Sequence, residues 1–331
     1  MSLSSLRLGC GLVITTARTM TRRKKTSSTV SKLEAKPSAK KVSTKKASAK
    51  KSSNGGLEPI RPVEFEGTLV SVFGAGRGKG RSTGTKPSQK DALYDAQQLI
   101  YQAFESRDPG RRTELAKQAL AISPDCADAY VLLAEATRDL AEATELNRKA
   151  VEAGERALGA KAFIDDIGHF WGILETRPYM RARLTLAQRL WESGKHDEAI
   201  GHYREMLRLN PGDNQGIRYI LAACLLDVRR DDDAAALIEQ YNDDASAAWA
   251  YASALIAFRR GGDSEDARLL LAEAKKTNPH VPPFLIGKKK MPKRLPDMIG
   301  FGDESEAIAL VGDYGSGWAN TEGAVAWLRS Q

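Results

Sequence analysis

The chain has 331 residues, 28% of them charged and only 7% aromatic, the balance of a water-facing, helix-rich protein of one or two domains. Its net charge of +8 is unevenly placed: residues 1–54 carry 14 Lys/Arg against one acid, Glu34, leaving the other 36 bases and 41 acids at −5. That excludes a folded body that attracts nucleic acid by bulk charge. Cys10, Cys126 and Cys224 have no pair spacing for a disulfide or zinc framework, and no run of about 18 apolar residues could span a membrane.

At the N-terminus, the apolar run Leu8–Ile14 is broken by Gly9 and Gly11 and is short for a secretory signal. Met20 is the favoured start, with residues 1–19 upstream of the true protein. The alternative is a mitochondrial presequence over residues 1–33; otherwise a cytoplasmic location is expected. Residues 1–54 read as a basic disordered tail. Lys40, Lys41, Lys45, Lys46, Lys50 and Lys51 repel one another in a stretch with little apolar surface. Residues 20–54 suit a nucleic acid or other polyanion, whose counterions they would release. They equally suit a solubilising extension.

Residues 55–87 form a Gly/Arg-rich linker. Within it "VEFEGTLVSVF" alternates weakly, as a short strand or a segment packed on the first helix. "VFGAGRGKGRSTGTKPSQ" fails as a phosphate loop, because Phe73 replaces the first glycine and Gly80 the hydroxyl residue. No cofactor is expected.

Helical periodicity begins at Ser88. Ser88 and Asp91 suit a capping pair, and Leu93, Ala96, Leu99, Ile100, Ala103 and Phe104 predict one buried face. A second helix is predicted over Arg111–Ala121, and a third opening at Ser123–Pro124. Asn210, Asn242 and Asn278 then punctuate the chain at spacings of 32 and 36, averaging the length of about 34 residues of a tetratricopeptide repeat. Ala187 and Ala199 suit a close helix crossing, Leu190 and Tyr203 its filling, and Gly194 the turn between. About five helix pairs fit residues 88–284, with an insert at 159–177. The predicted fold is all-α: a right-handed tetratricopeptide-type helical-hairpin solenoid with a C-terminal helical cap and the disordered basic tail.

The stretch from Ser123 to Leu328 resembles the suppression-of-tumorigenicity-7 protein family and its soluble bacterial-type relatives. "YVLLAEATRDLAEATELNRKAVEAGE", "NPHVPPFL", "GDESEAIAL", Trp318 and "EGAVAWL" carry the resemblance. It implies a helical repeat scaffold and brings no catalytic residues. The animal members are membrane-associated, and that role is not carried over to a chain without apolar spans. Residues 285–331 read as a basic loop and the cap. Asp303 and Glu306 form a predicted reciprocal capping pair, and Leu310, Val311, Trp318, Val325, Trp327 and Leu328 close the end of the stack.

The insert and the helix after it hold "GHFWGILETRPYMRAR", Gly168 to Arg183. His169 and Glu175 are its local acid–base candidates, but no nucleophile is nearby and no reaction class assembles; the expectation is no enzyme. The favoured reading is a splint. Trp171, Ile173 and Leu174 plug a gap between misaligned repeats, while Glu175, Asp165 and Asp166 pair with Arg177, Arg181 or Arg183. The competing reading is a partner groove on the concave face, using Arg177, Arg181, Gln188, Trp191 and Arg218. The expected function is a protein-binding scaffold or adaptor of a protein or peptide of unknown identity, with a polyanion-docked adaptor as the alternative.

Overall fold

A computed structural model describes residues 88–296 and 298–331. Ser88 caps α1 (Gln89–Glu105) and shares a reciprocal capping box with Asp91, as the sequence predicts. α1 pairs with α2 (Pro109–Ile122), and α3 (Ala127–Ala136) with α4 (Leu140–Leu158). A one-turn α5 (Ala162–Asp165) lies in the insert. Then come the pairs α6 (Arg177–Glu192) with α7 (His196–Leu209), α8 (Ile217–Asp227) with α9 (Asp231–Gln240), and α10 (Ala247–Gly261) with α11 (Glu265–Thr277). α12 (Val281–Leu285), α13 (Glu304–Ala319) and α14 (Ala324–Ser330) complete the chain, and the described residues contain no strand. The fold is an all-α array of helical hairpins of the tetratricopeptide type with C-terminal covering helices.

The predicted register holds where it is local. Ala187 and Ala199 are fully buried, with Leu190 and Tyr203 beside them in one core. Gly194 adopts φ +76 in the turn between α6 and α7. Only glycine takes this left-handed conformation at little steric cost. Two local expectations differ. Ser123 and Pro124 form a turn ahead of α3, which starts at Ala127 with no side-chain cap. Phe104, expected in the core, is 45% exposed.

The covering helix α13 does more than close an end. It packs on α8, α10 and α12. Tyr314 donates its hydroxyl to the carbonyl of Tyr219 at 3.0 Å, and Ser316 donates to Asp227 at 2.6 Å. Arg259, almost fully buried, donates to the carbonyls of Leu226 and Gly317, to Thr321 and to Asp231. One guanidinium thus locks α8, α9, α10 and α13 together. Burying Leu310, Tyr314 and Trp318 contributes about 1.5–3 kcal/mol each, against about 1 kcal/mol for a helix cap. Packing on the first helices of the last two pairs therefore holds α13.

Glu306 was expected to cap its own helix. Asp303 does accept from the Ser305 and Glu306 amides. The Glu306 carboxylate instead reaches outward, accepting from the Ala247 amide at 2.9 Å, Asn278 at 3.0 Å and the Gly302 amide at 2.7 Å. It caps α10 across the interface, because the buried Ala247 amide has the greater need of a partner.

Close helix approach generates a prediction. A Cβ at Gly154 in α4 would meet Tyr179 side-chain carbons at 3.0 Å and its Cα at 3.2 Å. Alanine favours a helix over glycine by about 1 kcal/mol, but overpacking costs about 1–3 kcal/mol, and the Tyr179 backbone cannot swing aside. Gly154→Ala is therefore expected to lower the melting temperature, measured by circular dichroism, while the exposed Lys195→Ala leaves it unchanged. A rise in the first variant would show that α4 and α6 lie further apart.

Candidate functional site

The insert, residues 159–177, is braced from within. Phe170 is fully buried, its ring 5.3 Å from Phe163 and 6.1 Å from Tyr179. The Gly168 and Phe170 amides donate to the Leu209 carbonyl at the end of α7, at 2.9 and 3.3 Å. The Thr176 hydroxyl donates to the carbonyls of Phe170 and Ile173. The plug is thus Phe170 rather than Trp171, which is half-buried under Arg177, and Leu174 is 57% exposed.

The expected pairing of the insert's own carboxylates with its arginines is corrected. Arg177 donates to the Trp171 carbonyl at 3.0 Å. Arg181 grips Asp128 of α3 with both arms of its fork, Nε to Oδ1 at 2.8 Å and Nη2 to Oδ2 at 2.5 Å. Arg183 donates to the Tyr179 hydroxyl at 2.6 Å and to His202 Nδ1 at 3.2 Å, and lies 3.7 Å from Glu205. Arg177 thus stays on the insert's own backbone, while Arg181 reaches Asp128 of α3 and Arg183 reaches His202 and Glu205 of α7, because a guanidinium on α6 lies at the interface with those helices.

The five proposed groove residues do not converge. Arg181 belongs to the floor between α3 and α6. Trp191, ten residues further and so about 15 Å along the helix, lies against the tilted ring of His196, with centroids 4.2 Å apart. The two cannot embrace one carboxylate. The buried amide nitrogen of Gln188 has no partner among the described residues. Arg218 lies in a separate knot, held by Asp213 at 3.0 Å and Asp244 at 2.8 Å, beside the ring of Tyr219 at 4.4 Å. Lys40, Lys41, Lys45, Lys46, Lys50 and Lys51, with the linker motifs, lie outside the described residues.

The structure instead brings together residues that periodicity did not mark as a site. Asp128 is completely buried and also accepts from Gln97 of α1 at 2.9 Å. Arg181 sits 5.8 Å from the Phe104 ring centroid. Around this floor, Tyr94, Tyr101 and Phe104 of α1 are 58%, 42% and 45% exposed. Burial, more than the nearby charges of Arg181, Asp128, Glu175 and Arg177, pushes the Tyr101 hydroxyl pKa up. Tyr94 and Tyr101 are seven residues apart, two helical turns, so their shared face was readable. Only the assembled array shows that no helix among the described residues covers it.

A second concavity, of about 760 Å³, lies between α4, α5, α6 and α7 and is lined by Glu152, Glu155, Phe163, Tyr179, Arg183 and Glu205. Its three arginines, Arg156, Arg183 and Arg208, are occupied internally, the first by Asp125 and the other two by Glu205. His202 beside it is held down to about 4 by burial first, then by the positive charges of Arg183 and Arg148. Among the described residues no cluster of three or more His, Cys, Asp or Glu could hold a metal ion, and no helix is long and apolar enough to cross a membrane.

Comparison with known proteins adds relatives to this geometry. The family model described as ST7 protein matches residues 87–331. A Protein ST7 homolog of Caenorhabditis elegans is 29% identical over 282 residues, covering 72% of this chain and 51% of its own. Suppressor of tumorigenicity 7 protein-like from Gallus gallus is 28% identical over 263 residues, covering 72% and 47%. The chain thus spans about half the length of these curated relatives. Among solved structures, YrrB, described as a TPR protein with an unusual peptide-binding site, aligns with a TM-score of 0.39 at 19% identity, over 57% of this chain and 87% of that one.

Two outcomes follow from the site. Arg181→Ala strands the buried Asp128 carboxylate and is expected to cost about 3–5 kcal/mol. Arg181→Lys recovers little, since one ammonium cannot make the fork, whereas Asp128→Leu with Arg181→Met recovers most of the loss in denaturant melts. Unchanged stability in Arg181→Ala would show the pair to be solvated. For His202 the folded pKa lies below the ordinary value, so the unfolded chain takes the proton first. Its contribution to stability is full above about pH 6.5 and is lost as pH falls towards 4. His202→Gln should flatten stability against pH across that window in chemical denaturation; an unaltered slope would remove His202 as the cause.

Proposed function

The chain belongs to the ST7 protein family, and from that premise we propose that it is a non-enzymatic scaffold that binds a protein segment on the face shared by α1, α3 and α6. The observation that carries this is the contrast between two halves of one row of helices. Over α8 and α10 the row is filled by α13, whose Tyr314 and Trp318 are buried there. On α1 the aromatic side chains Tyr94, Tyr101 and Phe104 stand exposed, with no described helix over them. Aromatic residues next to an arginine are the composition of interface hot spots. Contiguous exposed apolar surface also carries a cost in water that a partner removes.

The floor sets the chemistry of the ligand. Arg181 and Asp128 satisfy each other, so neither is free to clamp a terminal carboxylate. The face reads apolar and aromatic side chains of a partner segment, with the Tyr94 and Tyr101 hydroxyls available for its backbone. This composition supports an adaptor role.

A photo-crosslinking residue placed at Tyr101 in the full chain, expressed in its source cells, should capture a discrete partner. The same residue at Leu269 of α11, which is 70% exposed, should not. Tyr101→Ala with Phe104→Ala should leave melting within about 0.5 kcal/mol, as for other surface changes, and weaken capture of that partner more than tenfold. Identical adducts at positions 101 and 269, or undiminished capture by the double variant, would refute the groove.

A further inference from the structure

A second group of exposed apolar side chains lies between α12 and α13 and differs in chemistry. Met291, Leu295, Met298 and Phe301 are 38%, 42%, 80% and 43% exposed. The same loop carries Lys288, Lys289, Lys290, Lys293 and Arg294, and from Gly287 to Pro296 its sequence has no acid; Asp297 is the first. Lys289 is engaged with Glu304 and with the ring of Phe284. Lys288, Lys290 and Lys293 are exposed.

The loop is presented on a fixed base. At its start the Lys289 amide donates to the Pro283 carbonyl at 2.8 Å. At its end the Gly300 amide donates to Ser305 at 3.0 Å, and the Gly302 amide to the buried Glu306 at 2.7 Å. Its two ends are therefore pinned to α12 and α13, while its cations and apolar tips face water.

We propose that residues 287–301 dock on an anionic lipid surface. Cations interleaved with aliphatic, thioether and aromatic apolar side chains match a partner that offers negative groups and, a few ångströms beneath them, an apolar layer. A nucleic acid would match the lysines but leave Met291, Leu295 and Met298 in water, since bases are held by aromatic stacking and the loop has only Phe301. The remainder of the chain beyond residue 54 is net acidic, so the attraction is local and orients the body on the surface. The inference stands apart from the groove: it uses other residues and another class of partner.

The test uses the full chain with Cys10→Ser, Cys126 and Cys224 being buried, and a nitrobenzoxadiazole probe on Met298→Cys. Vesicles of phosphatidylcholine with phosphatidylserine should brighten the probe and shift its emission to the blue; phosphatidylcholine alone should not. Lys288→Gln, Lys290→Gln and Lys293→Gln together should weaken that response about a hundredfold, near fivefold for each cation removed. Helical content should be unchanged, the three side chains being exposed. Co-sedimentation with vesicles while the probe stays silent would assign binding to the Lys-rich tail and overturn the proposal. Equal brightening by polyglutamate or by single-stranded RNA in solution would also overturn it, in favour of an acidic polypeptide or a nucleic acid.

Discussion

The array depends on one buried carboxylate. Asp128, at the start of α3, accepts both arms of Arg181 from α6 and the amide of Gln97 from α1, so three successive first helices meet on a single side chain. Arg181 lies 53 residues beyond Asp128, one repeat of about 34 residues plus the insert at 159–177. The two residues therefore occupy matching positions in neighbouring repeats, and their pairing restores the register that the insert interrupts. A misaligned stack would bury Asp128 without a counter-charge, a penalty of several kcal/mol. The alternative registers are thereby excluded. The insert is tolerated because its own polar groups are satisfied, Thr176 within it on the Phe170 carbonyl and the Gly168 amide on Leu209 of α7.

What was legible in the sequence is what a single helix or one hairpin dictates. The Ser88 cap, the buried Ala187 and Ala199, the Gly194 turn and the helical cap all follow from local spacing or composition. What was not legible is the choice of long-range partner. Glu306 three residues after Asp303 suggests a capping box, yet a more deeply buried amide, Ala247, takes it. Arg181 had carboxylates close in sequence, yet Asp128 is closer in space. Trp171 outweighs Phe170 in size, yet Phe170 is the one that faces the core, because the turn at Gly168 decides which side chain points inward. Phe104 fits a helical stripe perfectly well and still stands at its rim. Periodicity names a face; it does not say how wide the neighbouring helix will cover it.

The two exposed apolar clusters illustrate how similar burial statistics lead to different chemistry. Tyr94, Tyr101 and Phe104 surround a neutralised ion pair and lie on rigid helix. Met291, Leu295 and Met298 lie on a loop among the exposed Lys288, Lys290 and Lys293. The first composition selects by shape and aromatic contact, the second by charge with shallow insertion. A protein with both can hold one partner while resting on another surface, without any residue serving two purposes.

Because α13 occupies the faces of α8 and α10, the array also contains its own ruler. Neighbouring helices pack about 8–10 Å apart, so the three first helices α1, α3 and α6, which α13 does not reach, span roughly 20–30 Å. An extended segment advances about 3.3 Å per residue, so about six to nine residues of the proposed ligand would fit between α1 and α13. A longer segment would run into α13, held there by Arg259, Glu306 and Trp318. Length discrimination of this kind needs no side-chain contact with the ligand at all: it is set by where the protein's own C-terminal helix stops the row.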